Sequence, residues 1–289
     1  MFIDTHCHVN FNAFRKDADD VIRRSLGEGM RLIMPSSQYS TSKRAVEIAE
    51  RYETNVYAAV GLHPIHVGEK RMVDEEELDP GSSPPTFETK EEDFDYEKYK
   101  QLVLSASKGK VVAIGECGLD YYYESKSKEK RQVQRFKQKS ILALQVRLAQ
   151  EHNLPMIFHC RKAHDDLIEF LQPHKGKIQG VVHCYTGDLK QAEKFYELGL
   201  SFGFNGLIFK DVPALPNPKE IISAIPLERI VLETDSPYLT PPATKAERNE
   251  PLFIRYVAEE IAKIKKIPLE EVAQVTSKNA TFLFKLNQA

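Results

Sequence analysis

The sequence predicts an α/β fold, a TIM-like (β/α)8 barrel of parallel strands. Three observations carry this expectation. Eight short apolar runs alternate with longer amphipathic runs along the 289 residues. The short runs are apolar on both faces, as the strands of a parallel sheet covered on both sides are. Reactive side chains recur just past these runs, where barrel enzymes place their active sites. A barrel of about 250 residues is commonly one domain. A single domain over 1–289 is therefore expected, with an acidic insertion at about 70–97. No G-x-G-x-x-G follows the first strand, which argues against an open dinucleotide-binding sheet.

Taken in order, Phe2-Ile3 opens the first strand, and Asp17 to Glu28 reads as a helix stopped by Gly29. Arg31 to Met34 is the second strand, Thr41 to Tyr52 a helix and Val56 to Val60 the third strand. The insertion follows, with a helix near Tyr96 to Ser107 and a fourth strand at Val111 to Ile114. Glu129 to His152 is a long helix, with Ile141, Leu144 and Leu148 at helical spacing. Pro155 to Phe158, Gly180 to Val182, Ser201 to Phe204 and Ile230 to Leu232 are the remaining strands. Helices are expected at Asp165 to Leu171, Leu189 to Leu198 and Lys219 to Ala224. Two more, Glu250 to Lys265 and Leu269 to Leu286, finish the chain.

Composition narrows the class. A hydrophobic share of 42% and a charged share of 28% exclude a fibre, a collagen and a wholly disordered chain. No run approaches about 18 consecutive apolar residues, so no transmembrane helix is expected. The first residues have neither a basic start nor an apolar segment, so a cytoplasmic protein is expected, or a nuclear one in a eukaryote. A monomer is expected. The four cysteines form no CxxC pair and read as small buried side chains. Residues 74–97 carry eleven Asp or Glu and one Lys, a local charge of −10 within a total of −2. The rest is therefore about +8, a body able to accept a polyanion. The acidic stretch, with Pro80, Gly81, Pro84 and Pro85, reads as an exposed or mobile loop.

Six of the eight strand ends carry His, Glu or Asp, and five of the nine histidines stand there. His6 and His8 end the first strand; two apart in extended chain, both rings face one side. His63 ends the third, Glu116 the fourth, His159 the fifth, His183 the sixth and Asp235 the eighth. Imidazole and carboxylate are the ligands of Zn²⁺ and of ions such as Mn²⁺. His6, His8, Glu116, His159, His183 and Asp235 are too many for one tetrahedral ion. They suit two divalent ions, with Glu116 on the middle strand as the bridge.

These pieces resemble the TatD family of metal-dependent deoxyribonucleases, within the amidohydrolase superfamily. The matching segments are Phe2 to His8, Gly61 to Pro64, Ala113 to Asp120, His159 to Arg161, Gly203 to Gly206, Glu233 to Leu239 and Arg248 to Pro251. They follow one another along the whole chain. The resemblance implies a barrel, a first ion on His6, His8, Glu116 and Asp235, and a second on Glu116, His159 and His183. Some members lack the HxH pair; this chain keeps it. The resemblance also implies hydrolysis of DNA phosphodiester bonds, as a 3′-5′ exonuclease, by a water activated between two ions of Mg²⁺, Mn²⁺ or Zn²⁺. The long acidic insertion is the main departure.

Several assignments stay open at this stage. Asp235 is a ligand, a general base, or both. Arg161 is a bidentate phosphate clamp or a salt-bridged organiser. His63 binds phosphate, donates a proton to the leaving group, or packs. Glu233 and Asp120 read as supports, and Asn249 as the cap of the last barrel helix. Lys126, Lys128, Lys130, Arg131, Arg135, Lys137 and Lys139, with Tyr121 to Tyr123, read as a nucleic-acid-tracking surface or a solvated helix face. Alternatives to a nuclease are a D-aminoacyl-tRNA deacylase acting on tRNA, a binding protein on a decayed barrel, and a small-molecule amidohydrolase.

Overall fold

The structure is a computed structural model that describes residues 1–68, 72–73, 87–89 and 91–286. Eight parallel strands form one sheet in chain order. They are β1 (Ile3–Asp4), β2 (Arg31–Met34), β3 (Val56–Val60), β4 (Val111–Asp120), β5 (Met156–Arg161), β6 (Gly180–Val182), β7 (Ser201–Phe204) and β8 (Ile230–Leu232). The first and last strands close the barrel. Thr5 N–H donates to the Leu232 carbonyl at 3.0 Å, Asp235 N–H to His6 at 2.8 Å and His8 N–H to Ser236 at 2.7 Å. The helices are α1 (Ala18–Gly27), α2 (Tyr39–Ala49), α3 (Tyr96–Ser105), α4 (Lys128–Glu151), α5 (His164–Leu171), α6 (Leu189–Glu197), α7 (Pro218–Ala224), α8 (Ile254–Lys265) and α9 (Leu269–Leu283).

Period-two alternation divides each strand between two cores. Ile3, Ile33, Tyr57, Ala59, Ile157, Val181 and Val231 form one cluster with Leu283, Phe284 and Leu286 at the end of α9. Their sequence neighbours Leu32, Met34, Ala58, Met156, Phe158, Val182 and Leu232 pack in the larger cluster with the helices. The interior is thus a filled core with the end of α9 joined to it, and the strand C-termini are left for chemistry. Local signals set the helix starts. The side chain of Ser127 caps α4, Asp95 caps α3, and Asp188 with Gln191 forms a capping box on α6.

The structure departs from the sequence expectation in a few places. β4 runs on to Asp120 and β5 to Arg161, because their ends pair with each other: Cys117 with Phe158 through Asp120 with Arg161. The last barrel helix starts at Ile254, after a 3-10 turn at Pro251–Phe253, and α9 ends at Leu283. Met72–Val73 and Phe87–Glu88 pair antiparallel. Most of the acidic stretch, 74–86 and 90, lies outside the described residues. Its end is not a solvated loop: the Glu92 carboxylate accepts Tyr39 N–H at 3.0 Å and Tyr99 O–H at 2.8 Å, tying the segment to α2. No described helix is long and apolar enough to cross a membrane.

Candidate active site

The strand ends surround a cavity of about 990 Å³, whose walls include His8, His63, Glu116, Arg161, His183 and Asp235. Of the residues expected at the site, His8, His63, Glu116, His159, Arg161, His183 and Asp235 line it, and the fully buried His6 adjoins Glu116 and Asp235 behind the wall. Glu116 lies at the centre, 4% exposed, with its two oxygens turned to different partners. Oε2 is 3.3 Å from His6 Nε2 and 3.9 Å from His8 Nε2. Oε1 is 2.9 Å from His159 Nδ1, 2.9 Å from His183 Nε2 and 3.3 Å from His63 Nε2. Asp235 Oδ1 completes the first group, 3.3 Å from His8 Nε2 and 3.6 Å from His6 Nε2.

These distances bear directly on metal binding. Four donors around one ion at ~2.0–2.1 Å stand about 3.3–3.4 Å apart. The His6, His8, Glu116 and Asp235 atoms are separated by 3.1 to 3.9 Å in the five pairs that can be compared. The donor set fits a divalent ion. Both ring orientation and tautomer are prepared for it. His8 Nδ1 lies 3.3 Å from the Pro35 carbonyl, which leaves Nε2 as the lone-pair nitrogen. Each histidine of the second group has its own carboxylate behind it. His159 Nε2 is 3.2 Å from Asp120, and His183 Nδ1 is 3.4 Å from Glu233. Such carboxylate–histidine pairs orient metal ligands and raise their basicity. Asp120 and Glu233 are therefore supports, as the sequence indicated.

The electrostatics follow from this packing. Burial raises the Glu116 pKa, but the His183, His63 and His6 rings outweigh it and hold the carboxyl well below its usual range. Burial opposes protonation of His183, yet Glu116 and Glu233 push its pKa well above the usual value. His6 is lowered, by burial and by His183. His63 is lowered by burial and by His159; its Nδ1 accepts Ile65 N–H at 3.0 Å, so the neutral ring carries its proton on Nε2. Its Nε2 faces Glu116 Oε1, and His63, Glu116 and His159 together form one of the groups whose donor atoms could hold an ion. Two residues that follow strands adopt left-handed backbone, Cys184 at φ 44° and Asp235 at φ 56°. Non-glycine residues pay for that conformation, and it concentrates at functional sites.

Supports invisible in the sequence sit one layer out. Gln145 on α4 brackets Leu62, accepting its N–H at 2.8 Å and donating to its carbonyl at 3.0 Å. Gln138 brackets Asp120 in the same way, at 2.9 Å for both bonds. Seven residues apart, the two glutamines share a helix face and fix the ends of β3 and β4. That spacing marks a shared face but does not point to the backbone groups it meets. Asp4, fully buried, accepts Thr234 O–H at 2.6 Å and braces β8 against β1.

Asn249 corrects the sequence reading. It does not cap α8: its amide donates to the carbonyls of Thr234, Tyr238 and Leu239, at 2.9, 2.7 and 3.3 Å. It thereby shapes the loop behind Asp235. Of the basic run, Lys126, Lys128, Lys130 and Lys137 are exposed, and three members are paired within the protein. Arg135 pairs with Glu124 and Asp166, Lys139 with Asp166 and Lys137 with Glu91. Arg161 lies 3.7 Å over the Tyr122 ring at the cavity wall.

The sequence profile of the TatD related DNase family matches residues 3–285. The chain belongs to the TatD related DNase family. It is 35% identical over 290 residues to YabD of Bacillus subtilis, described as a metal-dependent hydrolase, covering 99% of this chain and 100% of that one. It is 30% identical to the 3′-5′ ssDNA/RNA exonuclease TatD of Erwinia amylovora, covering 98% and 99% of the two chains. The crystal structure of the TatD homologue YjjV from Escherichia coli K12 superposes with a TM-score of 0.78 at 31% identity, covering 99% of this chain and 98% of that one.

Proposed function

We propose that this TatD-family metal-dependent hydrolase cleaves phosphodiester bonds of DNA, removing nucleotides from the 3′ end, at a site for two divalent ions. One observation carries the proposal: the two oxygens of Glu116 serve two separate donor groups. His6, His8, Glu116 and Asp235 would hold the first ion; Glu116, His159 and His183 would hold the second. Mg²⁺, Mn²⁺ and Zn²⁺ all suit such a set. Bound ions would lower the pKa of an attacking water and offset charge on the attacking and leaving oxygens at phosphorus.

The protein supplies the rest. Asp235, held below the usual carboxylate range despite its burial by the hydrogen bond to His8 and the nearby His6 and His183, is ionised and ready to accept the proton of the water. His63 Nε2–H, aimed at Glu116 Oε1, is placed to donate to a phosphate or leaving-group oxygen. Arg161, stacked on Tyr122, presents a planar cation along the wall. The 3′-5′ direction and the DNA substrate rest on the family and on the activity named for the Erwinia relative.

The test is a nuclease assay on labelled single-stranded and duplex DNA. The protein is stripped of metal, then given Mg²⁺, Mn²⁺ or Zn²⁺ in turn. Metal-dependent release of nucleotides, lost in His6→Ala, is the expected result. Silence with every ion, in protein shown to bind two, would overturn the proposal; release of D-amino acid from charged tRNA would replace it with the deacylase reading.

A further inference from the structure

A second, smaller cavity opens beside the first. It measures about 390 Å³ and is walled by Arg15, Lys16, Arg44 and Arg51 together with Asp17, Asp19 and Asp20. Arg44 lines both cavities, so the two meet at its side chain. The carboxylates are already engaged in part. Arg248 holds Asp17 at 2.6 and 3.0 Å, while Asp19 accepts Tyr52 O–H at 2.9 Å and lies 3.7 Å from Arg51. Among the described residues, no hydrogen bond or ion pair reaches the guanidinium of Arg44 or of Arg15. Arg44 is partly buried, and burial, then the charges of Arg15 and Arg51, lower its pKa. Arg51 is thus matched by Asp19 and Asp17 is taken up by Arg248, which leaves the guanidinium groups of Arg44 and Arg15 as the cations of this wall open to an outside anion.

The arrangement has a direction. Ser40, Thr41 and Arg44 border the large cavity, and Arg44, Ile48 and Arg51 the small one. Spacings of three and four residues place these positions in one stripe along α2 and just past its end. From Thr41 to Ile48 the helix advances about 10 Å.

We propose that Arg15, Lys16, Arg44 and Arg51 form a phosphate-binding extension of the catalytic cavity, which holds the backbone of a single strand several nucleotides from the scissile bond. The proposal rests on the phosphodiesterase reading and adds to it: the substrate is an oligonucleotide chain, and its length is sensed away from the reacting phosphorus. Charge-assisted contacts to phosphate are strong and planar guanidinium suits them.

The experiment compares two substrates in Arg44→Gln and in Arg15→Gln: a labelled twelve-nucleotide single strand, and bis(4-nitrophenyl) phosphate, which carries the reacting phosphate and no second one. The ratio of the two kcat/KM values should fall roughly tenfold in Arg44→Gln, as loss of one charged hydrogen bond predicts. It should fall less in Arg15→Gln. The log–log salt slope for strand binding should shrink by about 0.7 per lost phosphate contact. A ratio and slope unchanged in both variants would overturn the extension and leave the catalytic reading standing. If no ion supports hydrolysis of either substrate, the catalytic reading falls. The extension is then judged by fluorescence anisotropy of the labelled strand alone, where equal affinity of wild type and variants rejects it.

Discussion

Gly203→Ala tests whether the carboxylate behind His183 is held by packing. A Cβ at position 203 would stand 2.2 Å from Glu233 Oε2 and 2.7 Å from its Cδ. To regain an ordinary contact of 3.4 Å, the carboxylate has to withdraw by about 1.2 Å (3.4 minus 2.2). Glu233 is fully buried, and its Oε1 accepts Cys184 N–H at 2.7 Å and the Asn205 amide at 3.0 Å. Loss of one such charged hydrogen bond costs about 1.5–3 kcal/mol, and overpacking adds about 1–3 kcal/mol. The sum, about 2.5–6 kcal/mol, is a large share of a stability of about 5–15 kcal/mol. At roughly 2 °C per kcal/mol for a chain of this size, the Tm of the metal-free protein should fall by about 5–12 °C. With His183 misaligned, affinity for the second ion should fall about 10- to 100-fold. Scanning calorimetry and a calorimetric Zn²⁺ titration read the two effects. Gly27→Ala is the control, since a Cβ there meets nothing within 4 Å and a helical alanine is favoured by about 0.5–1 kcal/mol. A Gly203→Ala protein that melts with wild type and binds both ions equally well would refute the argument that Gly203 makes room for Glu233.

Four further outcomes are expected. Asp235→Asn should lower turnover at least about a hundredfold; full metal content with an unchanged rate would remove Asp235 from the chemistry. Gln145→Leu strands the buried Leu62 N–H and carbonyl, so denaturant melts should show a loss of about 2–4 kcal/mol. Burial lowers the His164 pKa to about 4, against about 6.5 in the unfolded chain, so the native state binds fewer protons. That stability is fully present above pH ~6.5 and is lost as pH falls toward 4, by up to about 3 kcal/mol; His164→Phe should flatten this stretch of the stability–pH curve, and parallel curves would contradict it. Chelation should lower the Tm of metal-loaded protein by about 5 °C, since an ion at a hundred times its Kd stabilises by about 2.7 kcal/mol; equal melting with and without chelator would mean the donor groups hold no ion in the folded state.

The strands at 31–34, 56–60, 180–182, 201–204 and 230–232 were legible to the residue, because each is a short apolar run between turn residues. Residues 115–120 were not legible as strand. Gly115, Glu116, Gly118 and Asp120 break the apolar pattern, yet the segment stays extended because β5 pairs with it beyond a register shift between Ile114 and Cys117. Gly118 shows how close that pairing is: it has φ +148°, and a Cβ would fall 1.9 Å from the His159 carbonyl. The site histidines and carboxylates were legible because their chemistry is rare and their positions repeat at strand ends. Gln138, Gln145 and Asn249 were not, since what they do is set by backbone groups 10 to 83 residues away. No local pattern encodes such a partner.

The division of the ligands along the chain also explains why the fold has to be closed. His6 and His8 follow the first strand, Asp235 follows the last, and Glu116 stands midway. In an open sheet of this strand order, β1 and β8 would lie at opposite edges. The first donor group then could not form. The seam bonds from Thr5, His8 and Asp235 are therefore part of the site as much as of the barrel. Asp4 makes the link explicit, since one carboxylate accepts both the His6 N–H of the first strand end and the Thr234 N–H of the last. Thr234 also donates its hydroxyl hydrogen to that carboxylate and takes one N–H from Ser236. Closure and the geometry of the first donor group are one structural event, built from residues more than 220 positions apart.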